Sequence, residues 1–395
     1  MNKFALLIVS AVLHGYVGGR VAPGLAAWPW AQGLFVGLVV VSTFLMPLGL
    51  ISSRLLRQPW ADRMSWAGLL LMGLFSSLLV LTALRDGVLL AVSLLGGLLP
   101  QVAVPAWQGP TAALVPAVGL LVTALGFLNA RRTPQVVRVD VPIAGLPRAL
   151  QGFTLAQISD IHVGPTIKSG YVQRIVNRVN GLKADVVAIT GDLVDGTVPA
   201  LAAQVAPLAG LQSRHGTFFV TGNHEYYSGA QAWVAELRRI GLNVLMNEHV
   251  VLHHGDAVHG HAHNAQGESQ TLAPLVLAGV TDFTAHHFDE THRSSPEAAI
   301  KGAPFNAHVR VLLAHQPRSA AAALAAGFDL QLSGHTHGGQ FWPWNLFVPL
   351  QQPFTAGLNR LNRLWVYTSR GTGYWGPPKR FGAPSEITVL RLVAG

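Results

Sequence analysis

The chain has 395 residues, a net charge of +9 and no cysteine, and only 11% of its residues are charged. Soluble domains are about 25% charged, so the composition excludes a wholly soluble protein, and the lack of cysteine excludes disulfides and thiolate metal sites. The positive charge forms no basic run with interleaved aromatic residues, so nucleic acid is not an expected partner. The charge is also uneven, with six Lys/Arg in residues 1–130 and 21 in residues 131–395. We therefore predict a transmembrane region, residues 1–132, followed by a water-soluble domain.

Four apolar stretches in the first region are long enough, or nearly so, to be transmembrane helices. The first follows Lys3 and resembles a signal peptide, but we predict that it is retained, because further spans follow it. The four stretches are residues 4–19, 31–51, 66–84 and 111–130. Residues 87–107 are also apolar but contain Pro100 and Pro105, so we expect a re-entrant or external segment there.

Positively charged residues next to these stretches predict the orientation of the chain. Five arginines flank the second, third and fourth spans: Arg54, Arg57, Arg63, Arg131 and Arg132. Because such residues favour the cytoplasmic side, four spans predict a multi-pass protein of the cell inner membrane with a cytoplasmic C-terminal domain. His14 is the one ionisable residue within the four predicted spans, which favours an anchor over a transporter or channel.

Beyond residue 150, short apolar runs alternate with helical stretches, a pattern typical of an α/β domain. We assign residues 133–149 to a linker and a leading strand, and 150–395 to the domain itself. Its predicted helices are 169–182, 199–212, 229–240 and 318–327. Five apolar runs end in polar residues: TLAQISDIH, VVAITGDLVDG, TFFVTGNHE, VRVLLAHQP and LQLSGHTHGG. Ligands in open α/β sheets collect beyond the carboxyl ends of strands, so these five ends are expected to meet at one site.

These strand ends carry carboxylate, amide and imidazole side chains. They are Asp160, His162, Asp192, Asn223, His224, His315, His335 and His337. Such ligands suit Mn²⁺, Zn²⁺, Fe or Mg²⁺, and the set is large enough for two divalent ions. A single residue of this kind is more often a cap or a satisfied polar group, but five such ends in one domain favour a metal site.

Five blocks of residues resemble the signature of the calcineurin-like metallophosphoesterases. They are Asp160-Ile-His162, Gly191-Asp192-Leu-Val-Asp195, Gly222-Asn223-His224-Glu225, His315 and Gly334-His335-Thr-His337. The motif GHTHGGQ and the stretch SRGTGYWGPPKRFGAPSEITVLRL are similar to the bacterial membrane-attached branch of that family. The resemblance implies a four-layer α/β/β/α sandwich, which the all-α transmembrane region precedes.

The resemblance also implies a role for each residue of the site. The first ion would be held by Asp160, His162 and His337, the second by Asn223, His315 and His335, and Asp192 would bridge them. His224 would act outside the ligand set, on the phosphoryl oxygens or as proton donor to the leaving group, and Asp195 would orient it. Gly196 stands where protein Ser/Thr phosphatases carry a phosphate-binding arginine, so Arg370 and Arg380 are the candidates for that contact.

The predicted function is that of a membrane-anchored hydrolase that cleaves a phosphoester with metal-activated hydroxide. Its cofactors would be two divalent ions, and its partners a phosphoester substrate and the lipid bilayer. We expect a diester or pyrophosphate of a lipid- or nucleotide-linked compound; the oligomeric state stays open. The alternative is a non-catalytic metal-binding sensor or regulatory membrane protein that keeps the phosphoesterase fold.

Two further features of the sequence have open interpretations. The histidines between residues 249 and 263 belong either to a long loop of a β-hairpin, which we favour, or to a second metal site. Aromatic residues near the C-terminus either form an apolar lip against the membrane or an acyl chain, or pack in the core. They are Trp342, Trp344, Phe347, Tyr374 and Trp375.

Overall fold

The computed structural model describes residues 3–96, 104–255 and 273–395. The chain divides into two compact units. One, which we call the helical unit, contains Met1–Arg131 and the short segment Gly376–Phe381. The other, the sheet unit, contains Arg132–Trp375 and Gly382–Gly395.

The helical unit contains four long helices among its described residues. They are α1 (Lys3–Val21), α2 (Pro29–Leu55), α3 (Trp60–Gly96) and α4 (Val104–Arg131). Each lies in a stretch that is long and apolar enough to cross a membrane, which confirms the prediction of four apolar helices before the α/β domain. With 37 residues, α3 is about 55 Å long, well beyond the ~30 Å of hydrocarbon in a bilayer.

The prediction of a separate segment at 87–107 is wrong for its described part. Residues 87–96 continue α3 and residues 104–107 begin α4, while 97–103 lie outside the described residues. The predicted third span ended at the charges of Arg85 and Asp86, but both groups have partners in the structure. Arg85 Nη1 donates to the carbonyl oxygen of Arg20 at 2.9 Å, and the Arg20 guanidinium lies 2.9 Å from Asp86. Because both charged groups have polar partners, the helix continues through these residues.

Small and polar residues hold the helices of this unit together. Helices α2 and α3 approach each other at Gly49, where a Cβ atom would lie 2.7 Å from Gly68 Cα; such small residues allow close helix packing in membranes. His14 is buried, with Nε2 2.9 Å from Ser42 Oγ and its ring stacked on Phe75. Its polar atoms are therefore satisfied inside the unit.

The segment Gly376–Phe381 packs among these helices, although the sequence analysis assigned it to the domain that follows. Lys379 is only 1% exposed, and its Nζ donates to Gly73 O at 2.8 Å and to the hydroxyl of Ser77. The Arg380 N–H donates to the Gly126 carbonyl oxygen at 2.8 Å. Buried polar groups need such partners in an apolar environment, so the segment is anchored within the helical unit.

The described strands of the sheet unit form two six-stranded mixed sheets. The strands are β1 (Gln135–Ile143), β2 (Thr154–Ile158), β3 (Val186–Ile189), β4 (Thr217–Phe219), β5 (Asn243–Val244), β6 (Glu248–His254), β7 (Ala273–Gly279), β8 (Val309–Leu313), β9 (Leu330–Ser333), β10 (Gly357–Leu361), β11 (Leu364–Thr368) and β12 (Glu386–Ala394). The first sheet has the order β1-β12-β2-β3-β4-β5, and the second β10-β11-β9-β8-β7-β6. Strand β1 occupies much of the stretch assigned to a linker and leading strand.

Helices cover the two sheets on their outer sides. They are α5 (Ser169–Asn180), α6 (Val198–Val205), α7 (Asn223–Ser228), α8 (Ala230–Arg239), α9 (Pro296–Ile300) and α10 (Ala320–Ala325). Between the sheets, apolar side chains such as Leu155 and Val186 share one core with Leu277 and Val311. A second core joins α9 and α10 to the other face of the second sheet. The predicted four-layer sandwich is confirmed.

Strands β6 and β7 pair antiparallel, with His254 opposite Ala273. This confirms the predicted hairpin in the histidine-rich stretch. The residues that connect the two strands, 256–272, lie outside the described residues, and so do His259, His261 and His263. The structure therefore does not address the second metal site that these histidines suggested.

Candidate metal centre

The five polar strand ends meet at one edge of the two sheets. They follow β2, β3 and β4, which are parallel neighbours in the first sheet, and β8 and β9, which are parallel neighbours in the second. Contacts between the two sets are short: His162 Nε2 lies 3.0 Å from His337 Nε2, and the His335 N–H donates to Asp160 Oδ1 at 2.9 Å. The expected convergence of the strand ends is therefore confirmed.

The described residues here form three groups of potential metal ligands. Within each group, the ligand atoms all lie within 4.8 Å of one another. The groups are Asp160 with His162 and His337, His162 with Asp192 and His224, and Asp192 with His315 and His335. Asp192 is common to two groups, since its Oδ2 lies 3.1 Å from His315 Nε2 and 3.9 Å from His162 Nε2. These clusters could bind metal ions.

Most of the predicted ligands have an unusual backbone conformation. Five of them have positive φ angles between 51° and 70°: Asp160, His162, Asp192, His335 and His337. Residues other than glycine rarely adopt this left-handed region, and such strain concentrates at functional sites, where the surrounding structure maintains it. The strand ends are therefore shaped to direct side chains into the cluster, at a cost in local stability.

Glycine at position 222 allows the backbone to approach Asp192 closely. A Cβ atom there would lie 2.3 Å from Asp192 Oδ1 and 2.6 Å from the Asp192 backbone nitrogen. No conformational change of Asp192 relieves both contacts, because one of them is to backbone. The small residue is thus required for the position of the carboxylate.

Gly222→Ala is expected to displace Asp192 and to weaken metal binding by about 10–100-fold, as for the loss of other groups that position a ligand. The measurement is metal affinity by competition with a chromophoric chelator. Gly170→Ala is the matched control, because a Cβ atom on Gly170 in α5 would meet nothing within 4 Å. Unchanged affinity in Gly222→Ala would show that the Asp192 carboxylate does not need this backbone contact.

The electrostatics of the cluster are governed by two buried carboxylates, Asp160 and Asp192. Burial alone would raise the pKa of Asp192, but the neighbouring His315 holds that pKa well below its usual range. Burial would likewise lower the pKa of His315, and Asp192 raises it well above its usual value. His315 Nδ1 is 2.7 Å from the Thr190 carbonyl oxygen, so its Nε2 is the atom that faces Asp192. The carboxylate thus requires positive charge beside it, from an imidazolium or from a cation that displaces the proton.

The donor set fits divalent cations. Asn223 begins α7, and its buried Oδ1 has no hydrogen-bond partner among the described residues. Burial makes an unpaired amide oxygen costly, and coordination of a cation would satisfy it. Carboxylate, amide and imidazole ligands together suit the ions named above, without selecting among them.

Asp195 joins a candidate ligand to the candidate proton donor. Its Oδ1 lies 2.9 Å from His162 Nδ1 and 2.7 Å from His224 Nδ1. Burial would lower the pKa of His224, but the hydrogen bond to Asp195 raises it to about 9. Because Nδ1 is engaged, Nε2 is the His224 nitrogen that remains to meet a phosphoryl oxygen, a leaving group or an ion.

The sequence analysis assigned no role to Glu225, although it quoted the block that contains it. This side chain is fully buried and accepts N–H groups from Asp192 at 3.0 Å, Leu193 at 2.8 Å and Gly222 at 2.6 Å. It therefore connects the loops after β3 and β4. The one local signal is its place as the third residue of a helix, where glutamate often accepts the N–H of the residue that caps the helix.

The two arginines predicted to contact phosphate have different positions. Arg370 pairs with Glu386 at 2.8 Å, and its Cγ would lie 3.0 Å from a Cβ atom on Gly338, so it adjoins the turn that follows His337. Arg380 is fully buried and belongs to the helical unit. A guanidinium without exposed surface has no access to a phosphoester, so the prediction for Arg380 is not supported.

Aromatic side chains lie beside the cluster. Tyr374 is buried in the core, whereas Trp375 is exposed, with its ring 5.8 Å from that of His224. The ring of the exposed Tyr227 lies 5.2 Å from His224. Trp342, Trp344 and Phe347 are exposed as well, so four of the five predicted aromatic residues are at the surface and one is in the core.

Comparison with known proteins gives consistent matches. Residues 153–339 match the family model described as calcineurin-like phosphoesterase. The chain is 41% identical to a transmembrane protein with metallophosphoesterase domain from Bos taurus, over 71% of this chain and 63% of that protein. A protein of the same description from Danio rerio is 38% identical, over 69% and 61%, and an uncharacterised metallophosphoesterase from Campylobacter jejuni is 34% identical, over 67% and 64%. The chain thus spans a little less than two thirds of the length of these curated relatives.

Proposed function

Because this chain carries a calcineurin-like phosphoesterase domain, we propose that it is a membrane-anchored dimetal phosphohydrolase. The observation that carries the proposal is the position of the Asp192 carboxylate between two groups of potential ligands, 3.1 Å from His315 Nε2 and 3.9 Å from His162 Nε2. We assign one ion to Asp160, His162 and His337, and the other to Asn223, His315 and His335, with Asp192 shared. When bound, two divalent ions lower the pKa of a water and stabilise the oxygens of an in-line displacement at phosphorus.

The side chains around the ions would perform the remaining steps. His224 would donate a hydrogen bond to a phosphoryl oxygen or a proton to the leaving group, and Asp195 fixes its ring through Nδ1. Arg370 adjoins the same turn as His337 and is the proposed cation for the phosphate. We propose a diester or pyrophosphate of a lipid- or nucleotide-linked compound as the substrate class.

The proposal is tested with protein purified in detergent and stripped of metal. We expect hydrolysis of bis-p-nitrophenyl phosphate to appear on addition of Mn²⁺ and to saturate at two ions per chain. An Arg370→Ala variant in the same assay should raise KM more than it lowers kcat. Binding of metal without turnover of this diester, p-nitrophenyl phosphate or a nucleoside diphosphate sugar would favour the sensor alternative. No metal binding at all would refute the dimetal assignment.

We also propose that the chain spans the cell inner membrane four times, with the sheet unit in the cytoplasm. Arginines support this orientation, because positively charged residues favour the cytoplasmic side of a membrane. Arg57 lies between α2 and α3, and Arg63 lies in the first turn of α3. Arg131 is the last residue of α4, and Arg132 follows it. Both groups therefore belong to one side of a four-span topology.

Labelling of single cysteines in intact cells tests the orientation, since the native chain contains no cysteine. Ala27→Cys, between α1 and α2, is expected to react with a membrane-impermeant maleimide added outside. Gln58→Cys, between α2 and α3, should react only after the cells are permeabilised. The reverse pattern would place the sheet unit outside the cytoplasm.

A further inference from the structure

A short stretch of the sheet unit exposes large apolar side chains. Residues 341–350 (FWPWNLFVPL) contain no charged residue and include two 3-10 helices, Trp344–Leu346 and Val348–Leu350. We call this stretch the aromatic loop. Its side chains protrude: Leu346 is 62% exposed and Leu350 80%, and Trp342, Trp344 and Phe347 are 41–51% exposed. Clustered exposure of this kind marks a surface that contacts another apolar phase or partner.

From this loop we infer a surface that inserts into the interfacial layer of a phospholipid bilayer. Tryptophan is enriched where membrane meets water, because its ring is large and amphipathic. Tryptophan, phenylalanine and leucine together form the apolar face of segments that lie in this interface. Two prolines in the loop, Pro343 and Pro349, restrict its backbone, so less conformational entropy is lost when it inserts. No charged side chain within the loop has to be dehydrated.

Connectivity of the chain identifies a bilayer as the partner. At the base of the loop, Gln340 exchanges two hydrogen bonds with the backbone of Trp375, at 2.9 and 2.8 Å, and Phe341 pairs with Gly382. Trp375 and Gly382 flank the segment Gly376–Phe381, which belongs to the unit of membrane-spanning helices. The loop is therefore bonded to both residues at which the chain leaves for, and returns from, the helical unit.

The connection between α4 and β1 supports the same conclusion. Only residues 132–134 separate the end of α4 at Arg131 from the start of β1 at Gln135. Such a connection extends at most about 14 Å. The proposed membrane anchor and the sheet unit are therefore joined by a short covalent tether here, as well as through Gly376–Phe381.

The aromatic loop begins only a few residues after the candidate metal centre. His337, a proposed ligand, precedes Gln340 by three residues. Trp375, whose backbone bonds to the Gln340 side chain, has its ring centred 5.8 Å from the ring of His224. If the proposed hydrolase function holds, insertion of the loop would present the centre to a phosphoester carried by a membrane lipid rather than by a soluble nucleotide. That consequence rests on the proposed function, whereas insertion itself does not.

The test uses single cysteines labelled with the environment-sensitive dye NBD, in full-length protein reconstituted into phosphatidylcholine–phosphatidylglycerol nanodiscs. Labels at Leu346→Cys and Leu350→Cys are expected to emit at shorter wavelength than the same dye coupled to free cysteine in water, and to lose most of their fluorescence in brominated lipid. Phe305→Cys is the matched control, because Phe305 is also apolar and is 94% exposed. Phe305 precedes β8 whereas His315 follows it, so the control lies toward the end of that strand that is remote from the candidate metal centre. It should be unaffected by bromination.

Two results would overturn the inference. Labels at both positions that emit and resist quenching as the Phe305→Cys label does would place the loop in water. Alternatively, blue-shifted emission without quenching by brominated lipid would show that a protein surface, such as a second copy of the chain, covers the loop. Neither result depends on hydrolysis, so both are distinguishable from failure of the proposed function.

Discussion

Asp192→Asn is expected to reduce the metal content from two ions per chain to one or fewer. It should also lower kcat/KM for bis-p-nitrophenyl phosphate by about 10³-fold, since it removes a preorganised charge from the reacting centre. The Asp192 carboxylate lies near His315 of one ligand group and near His162 of the other. Asparagine keeps its size and can still accept the His224 N–H, which lies 2.9 Å from Asp192 Oδ1, but it carries no charge. Elemental analysis and steady-state kinetics provide the two measurements.

Asp140→Asn is the matched control for this change. The same substitution there removes a half-exposed carboxylate that pairs with Arg391 at 2.7 Å on β1, an outer strand of the first sheet. It should leave metal content and kinetics unchanged. Two bound ions with undiminished turnover in Asp192→Asn would contradict the shared-ligand assignment. Thermal unfolding in metal-free buffer should show a lower Tm for Asp192→Asn, because the variant leaves the buried His315 without its carboxylate partner.

Most residues of the candidate centre could be predicted from short stretches of sequence. Each follows directly on an apolar strand, and the carboxyl ends of neighbouring parallel strands meet at one edge. The proximity of Asp160 and Asp192 follows from this rule alone, because β2 and β3 pair in parallel. The 3.0 Å contact between His162 and His337 does not, since the two residues follow strands of different sheets. The family resemblance, rather than the local pattern, implied that they belong together.

The groups that support the ligands were harder to predict. Glu225 accepts N–H groups from the loop after β3, and those donors reach it only through the tertiary fold. A buried N–H must find an acceptor somewhere, but the sequence does not identify which one. The left-handed backbone at Asp160 and Asp192 also depends on the tertiary fold. Aspartate usually adopts other conformations, and the surrounding contacts impose this one.

Two errors in the prediction for the helical unit, the end of the third span and the position of Arg380, also arise from partners that are distant in sequence. Hydropathy ends the third span before Arg85, yet the carbonyl oxygens of Arg20 and Gln108 accept from its guanidinium and allow α3 to continue. Arg380 stands in a stretch that resembles the family, but its backbone N–H bonds to Gly126 of α4. In each case the deciding partner is distant in sequence, where local patterns carry no information.

His224→Ala is expected to retain two bound ions. It should lower kcat for diphenyl phosphate, whose leaving group is basic, by about 10²–10⁴-fold, the range for loss of a general acid or base. The His224 Nδ1 bonds to Asp195 at 2.7 Å, which leaves Nε2 for the substrate. Its ring also lies in a potential ligand group with His162 and Asp192, so it has two candidate roles. Metal content separates them, because loss of a ligand would reduce the bound ions. His308→Ala, at an exposed histidine just before β8, is the matched control and should change neither quantity.

The dependence on the leaving group identifies what His224 does when metal is retained. A nitrophenolate departs without protonation, whereas a more basic phenolate or alkoxide needs a proton in the transition state. A proton-donor role therefore predicts that the defect of His224→Ala grows along a series of aryl diesters with increasingly basic leaving groups. A defect of constant size would assign His224 to the phosphoryl oxygens instead. For Asp195→Asn, the defect should also grow with the basicity of the leaving group, but less steeply. This variant disturbs the orientation of His224 but leaves its imidazole in place.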